Sequence, residues 1–80
     1  MNIEELKVDL QKSHVPENWY FLGGYGNDDQ KYCIEQENCT WNIYYSERGA
    51  KFRMKKYNSE AEACKDLYER LTEKLIKHRF

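Results

Sequence analysis

The stretch Thr40–Ala63, TWNIYYSERGAKFRMKKYNSEAEA, decides the fold. From Thr40 to Ser46 it alternates, with Trp41, Ile43 and Tyr45 on the inward side and Thr40, Asn42 and Tyr44 on the outward side. That is the period-two pattern of a strand with one face on a core. Glu47-Arg48-Gly49 reverses the chain, the glycine supplying a left-handed residue at the end of the turn. From Ala50 to Lys56 the alternation resumes, sending Phe52 and Met54 inward and Lys51, Arg53 and Lys55 outward. Ser59 followed by Glu62 has capping-box spacing and opens a helix. Its apolar stripe is Cys64, Leu67, Tyr68, Leu71 and Leu75, and Lys74, Lys77, His78 and Arg79 gather at its negative end.

Upstream, Ile3, Leu6, Val8 and Leu10 fall near helical spacing between charged residues, which predicts a helix over Ile3–Lys12 that stops before Val15-Pro16. Trp19-Tyr20-Phe21-Leu22 reads as a short buried strand closed by Gly23-Gly24, and Gly23 to Gln30 as a loop. Lys31 to Glu37 alternates again, with Tyr32 and Ile34 opposite Cys33 and Glu35, and Glu37-Asn38-Cys39 makes a hairpin turn. The expected architecture is α+β: a three- or four-stranded antiparallel meander flanked by an N-terminal and a C-terminal helix, with both helices on one face.

Eighty residues suit one domain, spanning residues 1–80. Its core must come from a few large side chains, and Trp19, Trp41, Phe21, Phe52 and seven tyrosines are available. A charged fraction of 34% and a mean hydropathy of -1.04 fit a soluble protein, while 15% aromatic content argues against disorder. No apolar run approaches the roughly 20 residues that span a bilayer. The acidic, helical-looking start Met-Asn-Ile-Glu-Glu-Leu is unlike a signal peptide, which points to the cytoplasm. Cys33, Cys39 and Cys64 are odd in number and lack zinc spacing, so they read as thiols in a reducing compartment. Cys33 and Cys39 are placed to face each other across a hairpin, but a cytosolic setting disfavours that bond.

Charge is sorted along the chain despite a net charge of -1. Glu17, Asp28, Asp29, Glu35 and Glu37 stand against Lys31 alone between Glu17 and Cys39. Between Ala50 and Tyr57, Lys51, Arg53, Lys55 and Lys56 face no acid. Such sorting concerns partners and encounter rates rather than fold, and solvated strand faces and helix ends account for it equally well.

Catalytic constellations are thin. His14 and His78 stand at no metal-ligand spacing, and no nucleophile–base arrangement can be argued from the sequence. Gly23-Gly24-Tyr25-Gly26 lies between strands, whereas a phosphate cradle needs a helix N-terminus at that point. No enzymatic activity, metal or cofactor is expected. The order helix, strands, helix is also that of double-stranded RNA-binding domains. A last helix that opens Ser59-Glu60-Ala61-Glu62 and a pI of 6.1 make such a module the weaker alternative. A basic strand near Tyr44 and Tyr57 would still suit the stacking of single-stranded bases.

Trp41, Tyr45, Ser46, Glu47, Arg48, Gly49 and Phe52, followed by Glu60 and Ala63, resemble a small α+β family of bacterial immunity proteins, immunity protein 59. The resemblance covers most of the chain and is specific from Trp41 to Cys64. These proteins are encoded beside polymorphic or contact-dependent toxins. The resemblance implies a non-enzymatic antitoxin that binds the C-terminal toxin domain of a secreted effector, commonly a nuclease, as a one-to-one heterodimer. An inhibitor of a basic nuclease cleft presents acids in place of phosphates and aromatic anchors beside them. The candidate toxin-binding residues are therefore Tyr25, Asp28, Asp29, Glu35, Glu37, Tyr44, Glu47 and Arg48. Glu47-Arg48-Gly49 also has a purely structural reading, as a hairpin turn with Arg48 pairing to Glu60 or Glu62.

Overall fold

A computed structural model describes residues 1–23 and 29–78 of the chain. Helix α1 (Ile3–Lys12) is followed by a short 3-10 turn (Glu17–Trp19) and strands β1 (Tyr20–Phe21), β2 (Lys31–Glu37), β3 (Thr40–Glu47) and β4 (Ala50–Tyr57). Helix α2 (Glu60–His78) ends the order. The four strands form one sheet in sequence order. The α+β class is as expected, but the sheet is mixed. β2–β3 and β3–β4 are antiparallel, while β1 runs parallel to β2, Tyr20 opposite Tyr32 and Phe21 opposite Cys33. The links on either side of β3 are two residues long and permit only antiparallel pairing. β1 and β2 are separated by residues 22–30, so their pairing is not confined to a hairpin. The expected strand Trp19–Leu22 shrinks accordingly, with Trp19 in the 3-10 turn.

Helix α1 begins on a capping box that the sequence reading passed over. The Asn2 side chain accepts from the Glu5 N–H at 2.8 Å, and the Glu5 carboxylate accepts from the Asn2 N–H at 3.2 Å. It ends in a Schellman arrangement: His14 N–H donates to the Gln11 carbonyl, Val15 N–H to the Leu10 carbonyl, and His14 takes a φ of 61°. The helix therefore stops three residues ahead of Val15, before proline geometry bears on it. Ser59 caps α2, its hydroxyl accepting from the Glu62 N–H at 3.4 Å.

Leu6 and Leu10 of α1, Ile34 and Ile43 of the sheet, and Ala63, Cys64, Leu67 and Leu71 of α2 form one buried cluster, with Val15 and Tyr20. Burying each leucine or isoleucine of this cluster contributes about 1.5–3 kcal/mol. Trp41, Tyr57, Tyr68 and Leu75 pack partly buried against the cluster. Val8, assigned to the α1 stripe from the sequence, is 46% exposed because it points away from α2 and the sheet. Two hydrogen bonds fasten α1 to α2: Ile3 N–H donates to the Glu60 carboxylate at 3.1 Å, and the Ser13 and Tyr68 hydroxyls lie 2.8 Å apart. Burial pushes the Cys64 thiol up to about 11, with Glu60 adding to the shift, so the thiol stays protonated. None of the three cysteines is in a disulfide. Cys33 pairs across with Tyr44 and Cys39 lies exposed in the turn, so the two do not face each other.

Strand β4 departs most from expectation. Tyr45 pairs with Phe52 and Ile43 with Lys55, so one residue too many lies between them: a β-bulge. Arg53 absorbs it with a φ of 56°. Beyond the bulge the phase flips. Lys55 and Tyr57 share the helix-facing side with their partners Ile43 and Trp41, and Met54 is exposed rather than inward. The Tyr57 hydroxyl donates to Asp66 of α2, which fixes that side. The supposed basic outward face of Lys51, Arg53 and Lys55 does not exist as a unit.

Candidate functional site

The helices cover one face of the sheet, and the candidate residues concentrate on the other. Ladder pairing sets Cys33 opposite Tyr44, Glu35 opposite Asn42 and Glu37 opposite Thr40, and paired residues share a face. On this outer face Cys33, Asn42, Tyr44 and Ser46 are all buried, Tyr44 at 4% exposure. Asn42 and Tyr44 do point outward, away from the helices, yet neither is exposed. β3 is the central strand of its hairpins, and its neighbours' side chains close over it.

Polar contacts fix the outer face. The Tyr44 hydroxyl donates to the Glu35 carboxylate at 3.0 Å. Lys51 reaches across from β4, its ammonium 4.7 Å from the Tyr44 ring centre and 3.9 Å from the same carboxylate. Both ends of the Lys51–Glu35 pair are half-exposed, so its strength is that of a surface pair, well under about 1 kcal/mol, and its effect is orientation. The Asn42 amide donates to Glu37 at 3.1 Å, while its buried carbonyl oxygen has no partner among the described residues. The face is amphoteric rather than purely acidic, since Lys51 stands among the carboxylates.

Asp29, Glu47 and Arg48 form a second group at the β3–β4 turn. Asp29 accepts from the Arg48 N–H at 2.6 Å, tying the loop before β2 to the turn. Arg48 and Gly49 take φ of 52° and 80°, the pair of left-handed residues that a two-residue hairpin turn of the mirror type needs. Burial first, then Glu47, Tyr32 and Asp29, raise the Tyr45 hydroxyl above its ordinary range. No Arg48 pair with Glu60 or Glu62 forms among the described residues; Glu60 serves α1 instead.

The eight candidates thus divide. Glu35, Glu37 and Tyr44 come together on the outer face, and Asp29, Glu47 and Arg48 gather at the turn. Tyr25 and Asp28 lie outside the described residues. Lys51, Asn42 and Ser46 complete the outer face; the sequence placed Asn42 and Lys51 outward, but none of the three was among the candidates. A two-residue turn at Arg48-Gly49 would have joined Lys51 to the group, because it sets Lys51 opposite Ser46 and beside Tyr44.

Among the described residues no group of three or more His, Cys, Asp or Glu side chains is placed to hold a metal ion, and no helix is long and apolar enough to cross a membrane. No family model, curated protein or solved structure matches the chain.

Proposed function

We propose that this chain is a cytoplasmic immunity protein that binds and neutralises, one to one, the cognate C-terminal toxin domain of a polymorphic or contact-dependent effector, a nuclease by class. The observation that carries the reading is the sheet face away from the helices, where half-exposed Glu35 and Lys51 are held over buried Tyr44 and Asn42 holds Glu37. Side chains fixed before binding lose little conformational freedom on contact, so such a patch favours recognition of a folded partner. Glu35 and Lys51 are the groups a partner can reach, and Tyr44 beneath them holds them in place. The resemblance of the Trp41–Cys64 segment supports the class of partner. The presence of Lys51 implies a partner surface that is basic but carries an acid at its centre.

The RNA-binding alternative fares less well at the start of the last helix. Glu60 there is engaged by Ile3 and Glu62 is exposed, so a duplex phosphate would meet negative charge. The decisive experiment is calorimetry with the C-terminal domain of the product of the reading frame immediately upstream. Charge reversal of Glu35 and Glu37 together should weaken binding by about tenfold or more, and reversal of Lys55 on the other face by less than about twofold. A wild-type chain indifferent to that domain would refute the reading, as would full affinity after the double reversal.

A further inference from the structure

On the far side of the sheet, β4 and α2 enclose a crease that the outer-face reading does not use. Tyr32, Arg53, Arg70, Glu73, Lys74 and Lys77 line a pocket of about 190 Å³ there. Four of the six are cations and one is an acid.

The cations are held by groups that leave donors to spare. Arg70 is 13% exposed, its Nε donating to Asp66 at 2.9 Å and its Nη1 to the Arg53 carbonyl at 2.9 Å. The guanidinium plane is thereby fixed, and its Nη2 has no partner among the described residues. That carbonyl belongs to the bulge residue, so the irregularity in β4 helps to build the pocket. The Lys74 ammonium lies 4.5 Å from the Trp19 ring centre and 5.5 Å from that of Tyr32, with no carboxylate in ion-pair range among the described residues. Aromatic faces steady a cation without neutralising it. The one acid, Glu73, is paired with Lys77 at 2.9 Å. Its carboxyl is held below the ordinary range first by that bond and, more weakly, by Arg53.

We propose that this crease is an anion site for a small polyphosphate of the pyrophosphate or nucleoside diphosphate class. Arg70 supplies a fixed planar fork that suits phosphate oxygens, Lys74 a point charge beside it, and Arg53 and Lys77 two closing arms. Four cations against Glu73 and the Asp66 carboxylate on Arg70 leave two excess positive charges, which match a multiply charged ligand better than a single carboxylate. A nucleic-acid backbone fits less well. The next hollow along the crease is lined by Glu62, Asp66 and Glu69 with Lys55, Tyr57 and Lys65, so the following phosphate would meet acids.

Calorimetry of the full chain with inorganic pyrophosphate at low salt tests this. Saturable one-to-one binding is expected, weakened about tenfold or more in the double variant Lys74→Gln, Arg53→Gln. Lys65→Gln, on the same helix but in the neighbouring hollow, should stay within about twofold of wild type. A matching melting temperature for the double variant establishes that it is folded. Three results would each overturn the proposal: no saturable binding by the wild type, undiminished binding by the double variant, or tighter binding of a short single-stranded oligoribonucleotide than of pyrophosphate. Reversal of Glu35 and Glu37 should leave pyrophosphate binding unchanged, which keeps this test separate from that of the outer face.

Discussion

Strands β3 and β4 are neighbours of eight residues each, and both alternate in sequence, yet only β3 keeps its alternation in space. β3 is paired on both edges and buried on both faces, Ile43 toward the helices and Asn42, Tyr44 and Ser46 away from them. β4 is the edge strand, with Phe52 48% exposed and no fully buried residue. A central strand has no room for an extra residue, because two neighbours hold its register. An edge strand can bulge, and bulging is one way in which free edges are kept from pairing with other chains. Alternation thus reports side-chain direction only between interruptions, and interruptions belong to edges.

This contrast can be broken most directly by truncating one residue on each strand. Ile43→Ala should lower the unfolding free energy by about 2–5 kcal/mol, and Phe52→Ala by less than about 1 kcal/mol, in urea titrations at neutral pH. Equal losses would erase the distinction between the strands.

A smaller effect is expected where β4 is tied down beyond the bulge. Tyr57→Phe removes the hydrogen bond to Asp66 and should cost about 1–2 kcal/mol. That bond first, and burial second, raise the Tyr57 hydroxyl above its ordinary 10.0. A group raised in the folded state contributes fully below its unfolded value and loses that contribution as pH climbs past it. Wild-type stability should therefore fall more steeply above pH 10 than that of the Phe variant, read from denaturation midpoints across the alkaline range. Parallel curves would show that Tyr57 and Asp66 do not hold β4.

The smallest effect belongs to the turn between the two strands. Arg48→Asn places a residue tolerant of left-handed geometry before Gly49 and should stabilise the hairpin by about 0.5–1 kcal/mol in thermal melts. If Arg48 serves the turn alone, the variant keeps whatever affinity the wild type shows for the proposed toxin partner. A loss would return Arg48 to the contact surface.

Helix α1 and strand β2 were legible to the residue, because Leu6 and Leu10 mark a helical face and Tyr32 to Glu35 alternate without interruption. The α2 stripe from Cys64 to Leu75 was legible for the same reason. The parallel pairing of β1 was not, since two residues carry no periodic signal and direction depends on the path of the connection. The bulge was equally hidden. Arg53 is a non-glycine residue at positive φ, and nothing in its identity announces that conformation. The site inherited this blind spot. The acids were located, but their grouping depended on ladder register, which put Glu35 beside Lys51 and moved Asp29 to the turn.

The two ties between α1 and α2 bridge positions 57 and 55 residues apart, whereas the hairpins close over two. Closing so long a span costs more chain entropy, and a ten-residue helix has little stability of its own in water. The meander can thus assemble before α1 arrives, and α1 is expected to let go first when the native state opens locally. Its backbone amides should trade hydrogen for deuterium ahead of those in β3, and each such excursion briefly wets the leucines of α2.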